Sequence, residues 1–318
     1  MSKEFQHVVL GSGPVGRSIA EALSARGEPV RVVNRSGHLT EAPAGVEVTA
    51  GDLYDPAAVR ALTQGAKVVY QAAQPRYFEW PQKFPPLQQA VIAGLSGGSA
   101  KLVLVENLYL YGAVNGVPMT EELPHAAHTR KGKTRAEMSA AAFAAHREGR
   151  LRVTAGRASD FFGPWALGST MGERVFYPLL SGKPAQLTGR ADLPHTHTYV
   201  GDFGRSLVLL GERDDADGQA WHVPNDRPRI TQAEFIELAA QIAGVQPRFS
   251  AMGKLMMALG GLFIPEARES VEMMYEFDQP FVVDSGKFER TFGMSATPLE
   301  EALQATVDWF RAHPQAAH

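Results

Sequence analysis

Six residues, Gly11-Ser12-Gly13-Pro14-Val15-Gly16, stand between a short β-rich run at 6–10 and the helix-like stretch Arg17 to Leu23. A helix leaving a strand through so tight a turn lies back along that strand and leads into a parallel neighbour. Val30-Arg31-Val32-Val33 supplies the neighbour at the expected distance. The first glycine allows the tight turn, the second lets backbone approach a pyrophosphate, and the third lets helix and strand pack closely. Phosphates then meet the unpaired N–H groups and the positive dipole end of the helix. Gly11, Ser12, Gly13, Pro14, Val15 and Gly16 are the expected cradle for a dinucleotide.

The end of the second strand separates two cofactors. An Asp or Glu about 20 residues beyond the glycines holds the ribose 2′-hydroxyl of NAD. Here the residues are Asn34-Arg35-Ser36, and no acid occurs between Pro29 and Thr40. Arg35, with Arg17 from the first helical turn, can pair with a 2′-phosphate. NADP(H) is the expected cofactor, with NAD(H) as the alternative.

Strand and helix signals alternate from there. Val46 to Ala50 reads as a third strand, Gly51-Asp52-Leu53 as the turn where Asp52 meets an adenine amino group, and Pro56 to Gln64 as a helix. Lys67 to Pro75 and Leu102 to Val105 read as strands four and five, with a helix from Pro86 to Gly94 between them. That alternation predicts an α/β chain with a doubly wound parallel sheet. Ligands of such sheets bind beyond the carboxyl ends of the strands. Gln71, Ala72, Ala73, Gln74 and the stretch Glu106 to Gly112 are accordingly expected at the site.

Composition excludes several classes. With 31 Lys plus Arg against 34 Asp plus Glu and no basic run, the chain lacks the basic face of a nucleic-acid binder. Cysteine is absent, so disulfides, thiolate nucleophiles and Cys-based metal sites are excluded, and redox chemistry needs a bound cofactor. The amino terminus shows no signal-peptide pattern, which leads us to expect a cytoplasmic protein. The most membrane-like stretch, Met252 to Ile264, is too short to span and reads as a buried or interfacial helix. No metal site is expected, although His195-Thr196-His197 puts two imidazoles on one strand face.

GSGPVGR at 11–17, GDL at 51–53, QAAQP at 71–75, ENLYLYG at 106–112, GRASDFFGP at 156–164, TYVGDFGRSL at 198–207 and the segment 284–310 follow in that order. In this the chain resembles the extended or atypical short-chain dehydrogenase/reductases, described broadly as NAD(P)-dependent epimerase/dehydratases. The resemblance implies a Rossmann sheet with a smaller α/β carboxyl-terminal substrate domain. Its expected boundaries are 1–164 for the nucleotide domain, with 198–218 and about 281–290 returning to it. Residues 165–197 and 219–280 form the substrate domain, and 291–318 a terminal helix, packed on the nucleotide domain, with a tail.

Catalytic members of that family use a Ser or Thr after the fifth strand and a YxxxK pair on the next helix. Lysine holds the nicotinamide ribose and tunes the tyrosine to exchange a proton near neutral pH. None of the eight tyrosines here has a lysine four residues later. Aligned on Tyr111-Gly112, Asn107 takes the Ser/Thr place, Lys133 the lysine place and Thr129 that of the tyrosine. An aliphatic hydroxyl cannot replace a phenol as acid. Tyr109, Tyr111, His125, His128 and Lys133 itself are the candidate substitutes.

The substrate half is expected to use Phe161, Phe162, Trp165 and His195, the last standing where sugar-nucleotide relatives carry an arginine for the diphosphate. Imidazole is a poor substitute for a bidentate guanidinium. The first reading is therefore an NADP(H)-dependent oxidoreductase of a small carbonyl. The alternatives are a nucleotide-sugar epimerase or dehydratase and a non-catalytic NADP-binding sensor. A homodimer is compatible with the resemblance.

Overall fold

In the computed structural model, the described residues are 5–253, 256 and 271–314. The helix expected from Met252 to Ile264 falls largely outside them. The chain divides into two compact units, each made of three separate stretches.

The first unit comprises residues 1–110, 130–157 and 203–221. Its strands are β1 (His7–Leu10), β2 (Val30–Asn34), β3 (Val46–Ala50), β4 (Val68–Gln71), β5 (Lys101–Glu106) and β6 (Arg152–Arg157). With β10 (Ala220–His222) on the edge, they lie in the order β10-β6-β5-β4-β1-β2-β3. The β1 to β6 pairings are parallel, with Val9 opposite Val32 on one side and Tyr70 on the other. The chain builds outward one way through β2 and β3 and the other way through β4 to β6. The strand order therefore reverses beside β1, the position at which such sheets hold ligands.

β1 and β4 are buried at every residue, as strands covered on both faces must be. Their cover comes from helices α1 (Pro14–Ser24), α2 (Pro56–Leu62), α3 (Trp80–Leu95), α4 (Arg130–Arg147) and α6 (Val200–Glu212). The sequence places the start of α3 at Pro86, a natural first-turn residue. The helix instead begins at Trp80 and carries Pro85 and Pro86 inside it. Buried Trp80 and Phe84, packed edge to face 5.3 Å apart, anchor the extra turns.

The second unit comprises 111–129, 158–202 and 222 onward. β7 (Asp160–Phe162) pairs with β9 (His197–Tyr199), and β8 (Ala185–Thr188) with β11 (Phe249–Met252), both in parallel. Helices α5 (Glu173–Leu180), α7 (Gln232–Ala243), α8 (Gly286–Phe292) and α9 (Leu299–Ala312) complete it. A capping box at Thr231 and Glu234 starts α7, and Gly244 in the left-handed region ends it.

Against the expected division, 158–164 and 198–202 fall in the second unit and 219–221 in the first. Residues 111–129 and 281–290 belong to the second unit, where Met119 bridges Val283 and the Tyr111 hydroxyl meets His222 Nε2 at 2.9 Å. The terminal helix α9 also packs there, rather than on the nucleotide domain. Its Leu299, Ala302, Leu303, Val307 and Phe310 join Phe176, Phe235 and Ile236 in one apolar core. Among the described residues no helix is long and apolar enough to cross a membrane.

Candidate functional site

The glycine turn is crowded on one side and open on the other. A Cβ on Gly11, whose φ is +107°, would lie 2.4 Å from Ala73 N, and one on Gly16 would lie 2.1 Å from Gly11 O. A Cβ on Gly13 would meet nothing within 4 Å. Gly13 has φ −66° and ψ −179°, which any residue can adopt, so its lack of a side chain answers no need of the fold. It precedes α1 as an N-cap without a side-chain hydrogen bond, and no acid lies in the first turn of that helix. Open space over bare backbone at a helix amino end fits a diphosphate. Ser12 and Pro14 border the opening half-buried, while Val15 is part of the core.

Ala72 and Ala73 wall the turn, with Ala72 Cβ 3.3 Å from the position a Gly16 Cβ would take. Gln71 at the end of β4 is buried, and its Oε1 has no hydrogen-bond partner. Leu53 belongs to the hydrophobic core, so its expected place against the cofactor is corrected to packing. Gln74 is exposed.

Beyond β2 the loop is shaped by Asn34. Its Nδ2 donates to Ser12 Oγ and His38 O, and its Oδ1 accepts from Ser36 N and Gly37 N at 3.1 and 2.7 Å. Arg35 and Ser36 are exposed. Arg17 is engaged elsewhere: it pairs with Glu21 and donates to the carbonyls of Thr40 and Glu41. That corrects its expected role as a second phosphate ligand. Asp52 Oδ1 accepts from Tyr54 N at 2.9 Å, an Asx turn that leaves Oδ2 outward on an exposed residue.

The start of α4 carries polar residues on both its exposed and its buried face. Lys133, the sequence's candidate for ribose and proton, lies on the exposed face of the helix. The buried face runs through Lys131, Arg135, Met138, Ala142 and Ala145. Read backward at helical spacing, Met138, Ala142 and Ala145 lead to Arg135 and Lys131, which was the available signal. Lys131 has no exposed surface, and its Nζ lies 4.5 Å above the Tyr77 ring. Arg135 Nη2 donates to Val105 O at 3.0 Å, and its guanidinium lies 4.9 Å from the Phe84 ring centre. Burial lowers its pKa, the attraction of Glu106 opposes that shift, and Arg157 adds to it. Arg157 Nε donates to Glu106 Oε2 at 2.9 Å and Nη2 to Ser139 Oγ, all three buried.

Thr129, in the second unit, is buried with its hydroxyl against Met273 Sδ. Asn107 is half-buried, its Oδ1 accepting from Tyr109 N at 3.4 Å. The Tyr109 hydroxyl accepts from Tyr77 at 3.4 Å. Tyr111 is 1% exposed and holds His222, so it is a packed residue rather than an available acid. His125 and His128 are exposed; the first meets the Tyr111 ring and the second that of Tyr275.

In the second unit His195 is 2% exposed, its Nε2 meets Asp160 Oδ2 at 2.8 Å, and its ring stacks with His197, Phe277 and Phe281. It is a packed residue, not a surface clamp for a diphosphate. His197 is buried with both ring nitrogens unpartnered; burial and the neighbouring His195 drive its pKa well down. Glu276, also buried, is pushed well up by burial and by Asp160. Phe162 belongs to the apolar core, Phe161 is half-buried, and Trp165 packs on Trp309 and His313. Core packing removes Phe162 from the substrate set.

Comparison with known proteins follows the same lines. A sequence model of the NAD dependent epimerase/dehydratase family matches residues 8–223. A dTDP-glucose 4,6-dehydratase of Streptomyces griseus is 24% identical over 227 residues, which are 71% of this chain and 63% of that protein, just under two thirds of its length. Among solved structures, the UDP-glucuronic acid 4-epimerase of Bacillus cereus, in complex with UDP-glucuronic acid and NAD, superposes with a TM-score of 0.77 at 16% identity, covering 97% of this chain and 99% of that one. The dTDP-glucose 4,6-dehydratase of Bacillus anthracis, in complex with NAD, gives 0.75 at 15% identity, covering 97% of each. Sequence match and fold agree that this chain belongs to the NAD dependent epimerase/dehydratase family.

Proposed function

We propose that this protein binds a nicotinamide dinucleotide over Gly11–Gly16 and carries out hydride-transfer chemistry on a nucleotide sugar, as an epimerase or a dehydratase. The observation that carries the reading is the open space over Gly13 beside two glycines that the fold itself needs. The sugar-nucleotide class follows the relatives, a dehydratase and epimerases of dTDP- and UDP-sugars. The dinucleotide supplies a hydride acceptor and donor. The protein's part is to hold the diphosphate on the α1 amino end and to keep the adenosine ribose beside Asn34, Arg35 and Ser36.

One observation favours a narrower reading, NADP(H) and a small carbonyl. Arg35 is exposed at the end of β2, and no carboxylate follows it before Thr40. His195 is enclosed rather than offered to a diphosphate. In that reading Asn107 and Tyr109, after β5, hydrogen-bond the carbonyl.

The test is calorimetric titration of wild type and Gly13→Val with NAD and NADP, followed by product analysis with UDP- and dTDP-hexoses and with small ketones. Gly13→Val should keep its melting temperature and weaken the dinucleotide at least tenfold. Equal binding by both proteins, or none by wild type, would remove the reading. Turnover of a hexose derivative alone selects the first version, and of a ketone alone the second.

A further inference from the structure

Arginine is almost never fully buried without a charge partner. Arg135 is 3% exposed, and among the described residues it forms no ion pair; its Nε is buried without a hydrogen-bond partner. Val105 O and the faces of Phe84 and Trp80 are its contacts. Glu106 is the sole buried carboxylate of the first unit among the described residues, and Arg157 already occupies it. Guanidinium does not lose its proton in proteins, so the charge stays. Lys131, one turn earlier on the same face, is buried as well. Both lie in the first two turns of α4, the end whose dipole repels cations.

Burial and the want of a counter-charge of its own oppose this place for Arg135, and an anion would answer both. The place is right for a ligand, since Val105 is next to last in β5, at the carboxyl end of a parallel sheet. We propose that Arg135, supported by Lys131, seats an anionic group of the substrate, a carboxylate or a phosphate. Carboxylate and phosphate oxygens both match the guanidinium fork. The diphosphate of a dinucleotide has its own seat at α1, which is why the anion is assigned to the substrate. The seat stands without the dinucleotide reading; its assignment to a substrate rests on that reading.

Trp80, 5.9 Å from the Arg135 guanidinium, provides an optical report. The full chain is titrated with pyruvate, inorganic phosphate and neutral acetamide, with and without saturating NADP, as wild type, Arg135→Met, Arg135→Lys and the surface control Lys67→Met, exposed at the opposite end of β4. We expect pyruvate or phosphate to bind wild type and Lys67→Met alike, at least tenfold more weakly to Arg135→Met, with an intermediate loss in Arg135→Lys and no response to acetamide. Arg135→Met should melt no lower than wild type, because it removes an uncompensated buried charge. No anion binding, equal binding in Arg135→Met, or a melting temperature lowered by several degrees would overturn the seat. Competition between the anion and NADP would overturn the assignment to substrate. Anion binding through Arg135 in a protein that ignores NADP would remove the dinucleotide reading and keep the seat.

Discussion

Single residues divide here into those the fold needs and those it does not. Gly11 and Gly16 were legible because the backbone leaves no room for a Cβ, whereas nothing in the fold crowds Gly13. Arg35 is exposed at the end of β2, with no acid beside it in sequence, and its part in the proposed site is open to a direct test. Arg35→Glu should weaken NADP by roughly tenfold to a hundredfold, the worth of a charge-assisted hydrogen bond, and leave NAD equal or tighter. Unchanged selectivity in paired titrations would take Arg35 out of the site. Burial of a polar side chain, by contrast, is set by distant neighbours. Nothing in the sequence marks Glu276 as enclosed, because Asp160, which faces it, is more than a hundred residues away. An unfolded glutamate titrates near about 4.3, and the folded carboxyl titrates well above that. Between those values the unfolded state binds fewer protons, so this group makes stability fall as pH rises. Glu276→Gln should match wild type near pH 4 and exceed it at pH 7 to 8. Urea melts across that range would show it, and a constant difference at every pH would refute the account.

At the scale of elements, strands were easy and one helix register was not. β-branched runs bounded by Gly, Pro and Asp placed β1, β2, β3 and β5 to within a residue or two, whereas β4, expected to reach Pro75, ends at Gln71, where the small and polar Ala72-Ala73-Gln74 begins. The start of α4, Arg-Lys-Gly-Lys-Thr-Arg, is polar all round and offers no apolar stripe of its own. The family spacing points to Thr129 and Lys133, each two residues before one of the buried pair Lys131 and Arg135. Helix α9 shows the opposite case: its stripe Leu299, Leu303, Val307 and Phe310 was plain, but a stripe does not say which core receives it. Phe310 stacks on Phe176 at 4.9 Å and meets Tyr177 edge-on. Phe310→Ala should lower stability by about 3–5 kcal/mol, the usual loss for a buried aromatic. A urea midpoint within error of wild type would show that α9 is not part of that core.

For the whole molecule, family and sheet follow from order alone: motifs in sequence with the right gaps specify a doubly wound sheet before any contact is known. The interleaving of the two units was legible in part: 198–218 was expected to return to the nucleotide domain and 203–221 lies in the first unit, whereas 111–129 joins the second, where Met119 bridges Val283, a partner far off in sequence. That interleaving bears on how the chain is made. β10 begins 63 residues after β6 ends, yet the two are neighbours in the sheet. A ribosome adding about 5–20 residues each second leaves the β6 edge without its partner for about 3–13 seconds. Val153 and Thr154 sit on that open ladder, the kind of edge on which a second nascent chain can pair. Until Ala220 emerges, the β6 ladder is the exposed edge of the nascent sheet, which β10 then covers.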